Sequence, residues 1–193
     1  LGLNGLGLCS TQYASEYMDV EIRRDGYLYS LHFEHGENVG GLKKEKYDGR
    51  QTGSNIRWKP DLSVFTDIDI PFDFYADVLR RQSVVNPGIL FVLRDQYSAT
   101  GFKSTEFKYE NGISDYVAEI AGGDALTSLQ TWSTERSGRD RVDKPEYKVK
   151  INVSLCFSKT VTLKEYYHNS SFLEYGGAPE KAVRSAFVSQ IDS

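Results

Sequence analysis

The chain opens on LGLNGLGLCSTQYASEY, in which Gly2, Gly5 and Gly7 fall within six residues and a helix-like run follows at once. That order of residue types points to one chemistry. A glycine-rich turn running into a helix N-terminus offers unpaired N–H groups to an anion, and the helix dipole adds to the attraction. Asn4 favours this reading, because a carboxamide beside glycines donates to phosphate oxygens. The competing reading is an ordinary flexible end, since only Leu1 precedes the first glycine and such loops are normally held from both sides. On the residues alone both readings stand: a plain loop, or a nucleotide site severed on its N-terminal side.

Other chemistries fit less well. The dinucleotide fingerprint G-x-G-x-x-G needs a strand before it and a parallel strand after its helix, and the order loop, helix, hairpin supplies neither. The GxxxxGK[ST] phosphate loop is absent. His32, His35 and His168 show no HxxxH or HExxH spacing and read as solvated or packing side chains rather than metal ligands. Cys9 and Cys156 lie far apart without a CxxC, which predicts a reduced cytoplasmic protein with no zinc site. Ser10 and Ser15 lie outside any GxSxG elbow, and Asp67 and Asp69 sit in a proline-bounded loop where solvation explains them. Arg136, Arg139, Arg141, Lys144, Lys148 and Lys150 cluster but are interleaved with Asp140, Asp143 and Glu146. A solvated loop is the first reading there, and a weak, salt-sensitive contact with DNA phosphates the second. Trp58 and Trp132 fall on strands and are expected in the core.

The elements that position these groups read as an α+β chain. Residues 8–17 predict a short helix, and MDVEIRR and YLYSLHFE flank Asp25-Gly26 as a hairpin, with a loop over 36–53. SNIRWKP is a strand stopped by Pro60, and PFDFYADVLRRQSVV is an amphipathic helix with Pro71 near its start. ILFVLRD and FKSTEFKYE follow as strands, then ISDYVAEIA as a helix closed by Gly122-Gly123, where a domain boundary is expected. SLQTWSTE, YKVKINVSLCFS and VTLKEYY read as three further strands, and 179–191 as a final helix. With 39% hydrophobic residues among 193, the chain can bury a real core, and its net charge of −4 gives no bulk attraction to nucleic acid. No apolar run approaches membrane-spanning length.

These segments, in this order, resemble the B subunit of bacterial type IIA topoisomerases, the family of DNA gyrase and topoisomerase IV. GLNGLGLCSTQYASEYMDVEI resembles the family's GLHGVG segment with its helix and strand, and QTGSNIRWKPDLSVF resembles TGT-x-[IV]-x-[FW]-x-P-D. LRRQSVVNPGILFVLRD, FKYENGISDYV, TWSTERSG with YKVKINVSLCFS, and HNSSFLEYGGAPEKAVRSAF are similar to later family segments. The resemblance implies a mixed or antiparallel sheet packed with helices. Residues 1–122 would be the C-terminal part of a GHKL-type ATPase domain. Residues 124–193 would begin a transducer resembling domain 2 of ribosomal protein S5, with a left-handed βαβ crossover. The backbone of Gly2, Leu3, Asn4, Gly5, Leu6 and Gly7 would wrap the ATP phosphates, and Ser54 would keep the hydroxyl that reaches the adenine end through water.

The departures also carry information. The family's histidine is Asn4 here, which alters the phosphate contact, and its T-H pair is Ala178-Pro179, so no role is carried across there. The family's general base, its Mg²⁺-holding asparagine and its adenine-reading aspartate would lie upstream of Leu1, and its γ-phosphate lysine downstream of Ser193. The expectation is therefore a fragment with no catalytic residue of its own, inactive alone. Its parent would bind ATP with Mg²⁺, dimerise, and pass DNA strands together with the topoisomerase A subunit. Two rivals remain open: a non-enzymatic α+β module binding DNA through the basic loop 136–150, and a GHKL ATPase of the mismatch-repair or chaperone type.

Overall fold

A computed structural model describes residues 6–192, which divide after Ile70 into two compact units. The first begins with α1 (Leu6–Tyr13), so Leu6 and Gly7 are helical and the helix ends earlier than the sequence predicts. Two side chains account for that end: the Thr11 hydroxyl donates to the Gly7 carbonyl and Ser15 donates to the Thr11 carbonyl, satisfying the helix locally.

Five strands follow: β1 (Ser15–Arg24), β2 (Tyr27–Glu34), β3 (Glu37–Asn38), β4 (Lys43–Lys46) and β5 (Gly53–Pro60). The path through the sheet is β3-β2-β1-β5, with β4 also on β2, and every pairing is antiparallel. Asp25 (φ 54°) and Gly26 (φ 75°) both take the left-handed region that a two-residue hairpin turn demands. The alternation in β1 then sorts the faces. Met18, Val20 and Ile22 stand opposite Phe33, Leu31 and Tyr29 on β2, and opposite Trp58, Ile56 and Ser54 on β5. The other face carries Asp19, Glu21, His32, Asn55 and Arg57. Met18, 1% exposed, is the one buried hydrophobic side chain of this unit among the described residues.

The second unit runs from Pro71. It contains α2 (Phe72–Val85), the hairpin β6 (Phe91–Gln96) and β7 (Phe102–Phe107), α3 (Ile113–Ala121) and a 3₁₀ turn at Gly122–Asp124. The hairpin β8 (Gln130–Gly138) and β9 (Tyr147–Leu155), the short ladder β10 (Tyr167–His168) with β11 (Ser171–Phe172), and α4 (Gly177–Ile191) complete it. Pro71 stands just before α2, where its missing N–H is harmless. Val84, Tyr109 and Tyr116 form the buried cluster, edged by Val85, Ile113 and Ile120. The two tyrosine rings meet edge to face at 5.7 Å. The domain boundary expected at 122–124 falls within this unit, at the 3₁₀ turn.

Two expectations are corrected. VTLKEYY is not a third long strand: only Tyr167 and His168 pair, while Glu165 accepts hydrogen bonds from Tyr167 at 2.6 Å and from Tyr116 at 3.4 Å. Trp58 and Trp132 are not core residues but surface ones, 42% and 54% exposed.

Candidate nucleotide-binding site

Of the residues singled out for phosphate contact, Gly2, Leu3, Asn4 and Gly5 lie outside the described residues, and Leu6 and Gly7 form the first turn of α1. That turn holds no acidic side chain. An anion approaching its N–H groups therefore meets no carboxylate from that turn. Among the described residues, outside its own helix backbone and chain neighbours, a Cβ at Gly7 would find no atom within 4 Å.

Ser54 is the second residue of β5, exposed, and directly opposite Ile22. Its neighbour on the same face, Ile56, stands opposite Val20, so the hydroxyl sits at the end of an apolar wall. α1 leads into β1 at Ser15, the residue that pairs with Pro60, whereas Ser54 lies at the other end of β5. Ser15 and Ile22 lie seven steps apart along β1, about 24 Å at the usual rise. No hydrogen bond or ion pair joins α1 to Ser54 among the described residues.

The polar face holds a network that spacing along the chain does not reveal. Register places Asp19 across from His32, and His32 Nδ1 lies 2.7 Å from Asp19 Oδ1 while Nε2 lies 3.3 Å from Glu34 Oε1. Hydrogen bonds to Asp19 first and Glu34 second raise the His32 pKa above 6.5, because both stabilise the imidazolium. A shallow depression of about 320 Å³ opens beside it, lined by Glu21, Ser30, Lys43, Asn55 and Arg57 among others. His35 serves a different purpose. At φ 45° it closes the turn after β2, and its Nδ1 lies 2.8 Å from Asp61 Oδ2. The Ser63 backbone N–H, 2.7 Å from Asp61 Oδ1, is the main cause holding that carboxyl below its ordinary pKa, and His35 adds to it. No group of three His, Cys, Asp or Glu side chains among the described residues is arranged to hold a metal.

The basic stretch 136–150 spans the tip of the β8–β9 hairpin and is exposed. Acids in and beside it occupy part of its charge: Arg141 pairs with Asp143 at 3.5 Å, and Lys148 with Glu135 at 3.0 Å.

No family profile matches the chain. Comparison with individual proteins does find relatives. The chain is 31% identical over 123 residues to the B subunit of DNA topoisomerase 4 from Escherichia coli, a match covering 63% of this chain and 19% of that one. It is 32% identical over 118 residues to the B subunit of DNA gyrase from Synechocystis, covering 60% and 11%. Against the B subunit of DNA topoisomerase 4 from Enterococcus faecalis it is 30% identical over 139 residues, covering 71% and 20%. The chain thus spans a fifth or less of the length of these relatives. Its fold is that of the 43K ATPase domain of Thermus thermophilus gyrase B, solved with an aminocoumarin, at a TM-score of 0.59 and 22% identity over 70% of this chain and 37% of that one. Gyrase and topoisomerase IV sequences match the same chain at nearly equal identity. Over 118 to 139 of its residues, the chain is similar to a segment of the B subunits of bacterial DNA gyrase and topoisomerase IV.

Proposed function

We propose that this chain is part of a subunit that couples ATP binding and hydrolysis to DNA strand passage, and that it supplies the phosphate loop and one wall of the nucleotide site. The observation that supports this most is the match to topoisomerase B subunits over 123 to 139 residues, beside the fold shared with a gyrase B ATPase domain. On this reading residues 1–122 complete the ATPase domain and 124–193 begin the transducer. The wider assembly contains a second B subunit, the topoisomerase A subunit and DNA, and works in the cytoplasm. No helix among the described residues is long and apolar enough to cross a membrane.

The residues present fit an adenine nucleotide. Backbone N–H groups at Gly2, Leu3, Asn4, Gly5, Leu6 and Gly7 would hold the phosphates, aided by a first helical turn free of acids. The Ser54 hydroxyl, exposed beside Ile22 and Ile56, would hydrogen-bond at the adenine end while the apolar side chains cover the base. Magnesium, when bound, would supply charge neutralisation at the phosphates. The described residues offer no three-ligand cluster to hold it, so its ligand is assigned to another part of the parent protein. Hydrolysis also needs a base to activate water. None of the residues that carry this reading is a general base, so they bind and orient without catalysing. The purified chain is expected to show no ATP turnover above background. Turnover that persists after removal of contaminating full-length enzyme would falsify the assignment.

A further inference from the structure

The β4 edge of the first unit carries charge that the nucleotide reading does not use. All four residues of β4 are exposed, and three are lysines: Lys43, Lys44 and Lys46. None of the ion pairs among the described residues includes any of them. In the same sheet Arg24 is bound to Asp25 at 3.1 Å and Arg23 to Glu21 at 3.8 Å. The charge of β4 is therefore held differently. Lys44 Nζ lies 3.9 Å from the centroid of the Tyr27 ring and 5.6 Å from that of Tyr29, so aromatic faces rather than carboxylates position it. Register puts Tyr27 opposite Lys46 and Tyr29 opposite Lys44, so two cations and two phenols share one face.

We propose that this edge contacts the phosphate backbone of duplex DNA, independently of sequence. Lys44 and Lys46 stand about 6.8 Å apart along one strand, a regular array suited to a polyanion with evenly spaced charge. Tyrosine hydroxyls on the same face are further phosphate donors. The target is a duplex and not an unpaired strand, because single-strand binding uses open aromatic faces for base stacking and Lys44 already covers Tyr27. The site is distinct from the 136–150 hairpin, where Arg141 and Lys148 have carboxylate partners. It also makes no use of the glycine segment or Ser54.

The test is equilibrium binding of the 193-residue chain to a fluorescent duplex, followed by anisotropy across a salt series. Replacing Lys44 and Lys46 by Gln is expected to lower the slope of log affinity against log salt by about 1.8, with roughly a tenfold or greater loss at low salt. The K44R/K46R variant keeps the charge and is expected to bind within about twofold of the parent chain. It reads the same site if the Gln variant folds poorly. The R139Q/R141Q variant is expected to bind like the parent, and binding of a non-hydrolysable ATP analogue is expected to be unchanged in all three. The proposal is overturned if the parent chain does not bind duplex, if K44Q/K46Q binds as well as the parent, or if R139Q/R141Q loses as much. It is also overturned if a single strand competes better than the duplex. Self-association of K44Q/K46Q with unchanged DNA affinity would likewise overturn it, by making the lysines guards of an exposed edge.

Discussion

Replacing Met18 by Ala tests the packing that holds the candidate site in register. Met18 is 1% exposed and stands between Phe33 on β2 and Trp58 on β5. Truncating a fully buried methionine costs about 2–5 kcal/mol, the spread depending on how far the surroundings collapse into the space. Trp58 is 42% exposed, so one side of this site is open and partial collapse is expected. About 3 kcal/mol is therefore the working figure. A unit of some 70 residues has a stability of roughly 3.5–10 kcal/mol, so the variant loses about 30% or more of it. The assay is urea unfolding followed by Trp58 emission, with Trp132→Phe in the background to remove the second indole. At a slope of about 1 kcal/mol per molar urea, the midpoint should fall by about 3 M, or the unit should be partly unfolded without denaturant. A loss below about 1 kcal/mol, with Trp58 emission unchanged, would show that the sheet is not held through Met18.

Three further outcomes follow from the geometry. The His32 pKa lies above 6.5, so its bonds to Asp19 and Glu34 stabilise the fold fully below that value and lose their contribution as pH rises through the folded-state pKa. NMR titration should show Asp19→Asn bringing it back toward 6.5, and an unmoved midpoint would contradict the network. At Gly112 (φ 60°) a Cβ would lie 2.9 Å from the Val84 carbonyl oxygen and 2.9 Å from Pro87 Cγ, so Gly112→Ala should cost about 1–3 kcal/mol in thermal or denaturant unfolding. A neutral effect would mean that the turn relaxes freely. Ser54→Ala should weaken binding of an ATP analogue by about fivefold, the worth of one hydrogen bond, with the circular-dichroism spectrum unchanged.

Local chemistry made much of this fold readable. Asp25-Gly26 announced its hairpin, and α3 has the bounds that Gly112 and Gly122-Gly123 set for it. β4 was not readable, because KKEK has no apolar alternation and becomes a strand only by pairing with β2. The extended look of VTLKEYY misled for the converse reason: its side chains suit a strand, but apart from the short ladder at Tyr167 and His168 its backbone has no strand partner. The tryptophans sit on strands as expected, yet neither is covered: Trp58 keeps 42% and Trp132 54% of its surface exposed, although Trp58 shares a face with the buried Met18. The β5 strand that carries Ser54 was legible from its segment. The His32–Asp19 contact was not, since thirteen residues separate the two and only the register of β1 against β2 joins them.

The glycine segment and β5 are held here to serve one nucleotide. The decisive experiment titrates the isotope-labelled chain with a non-hydrolysable ATP analogue and follows backbone amide shifts residue by residue. Shifts should concentrate at residues 2–7 and 52–56, with a Kd weaker than about 1 μM because few contacts are engaged. Unmoved amides in both segments at millimolar analogue, or shifts gathered on the polar face around His32 instead, would contradict a shared site.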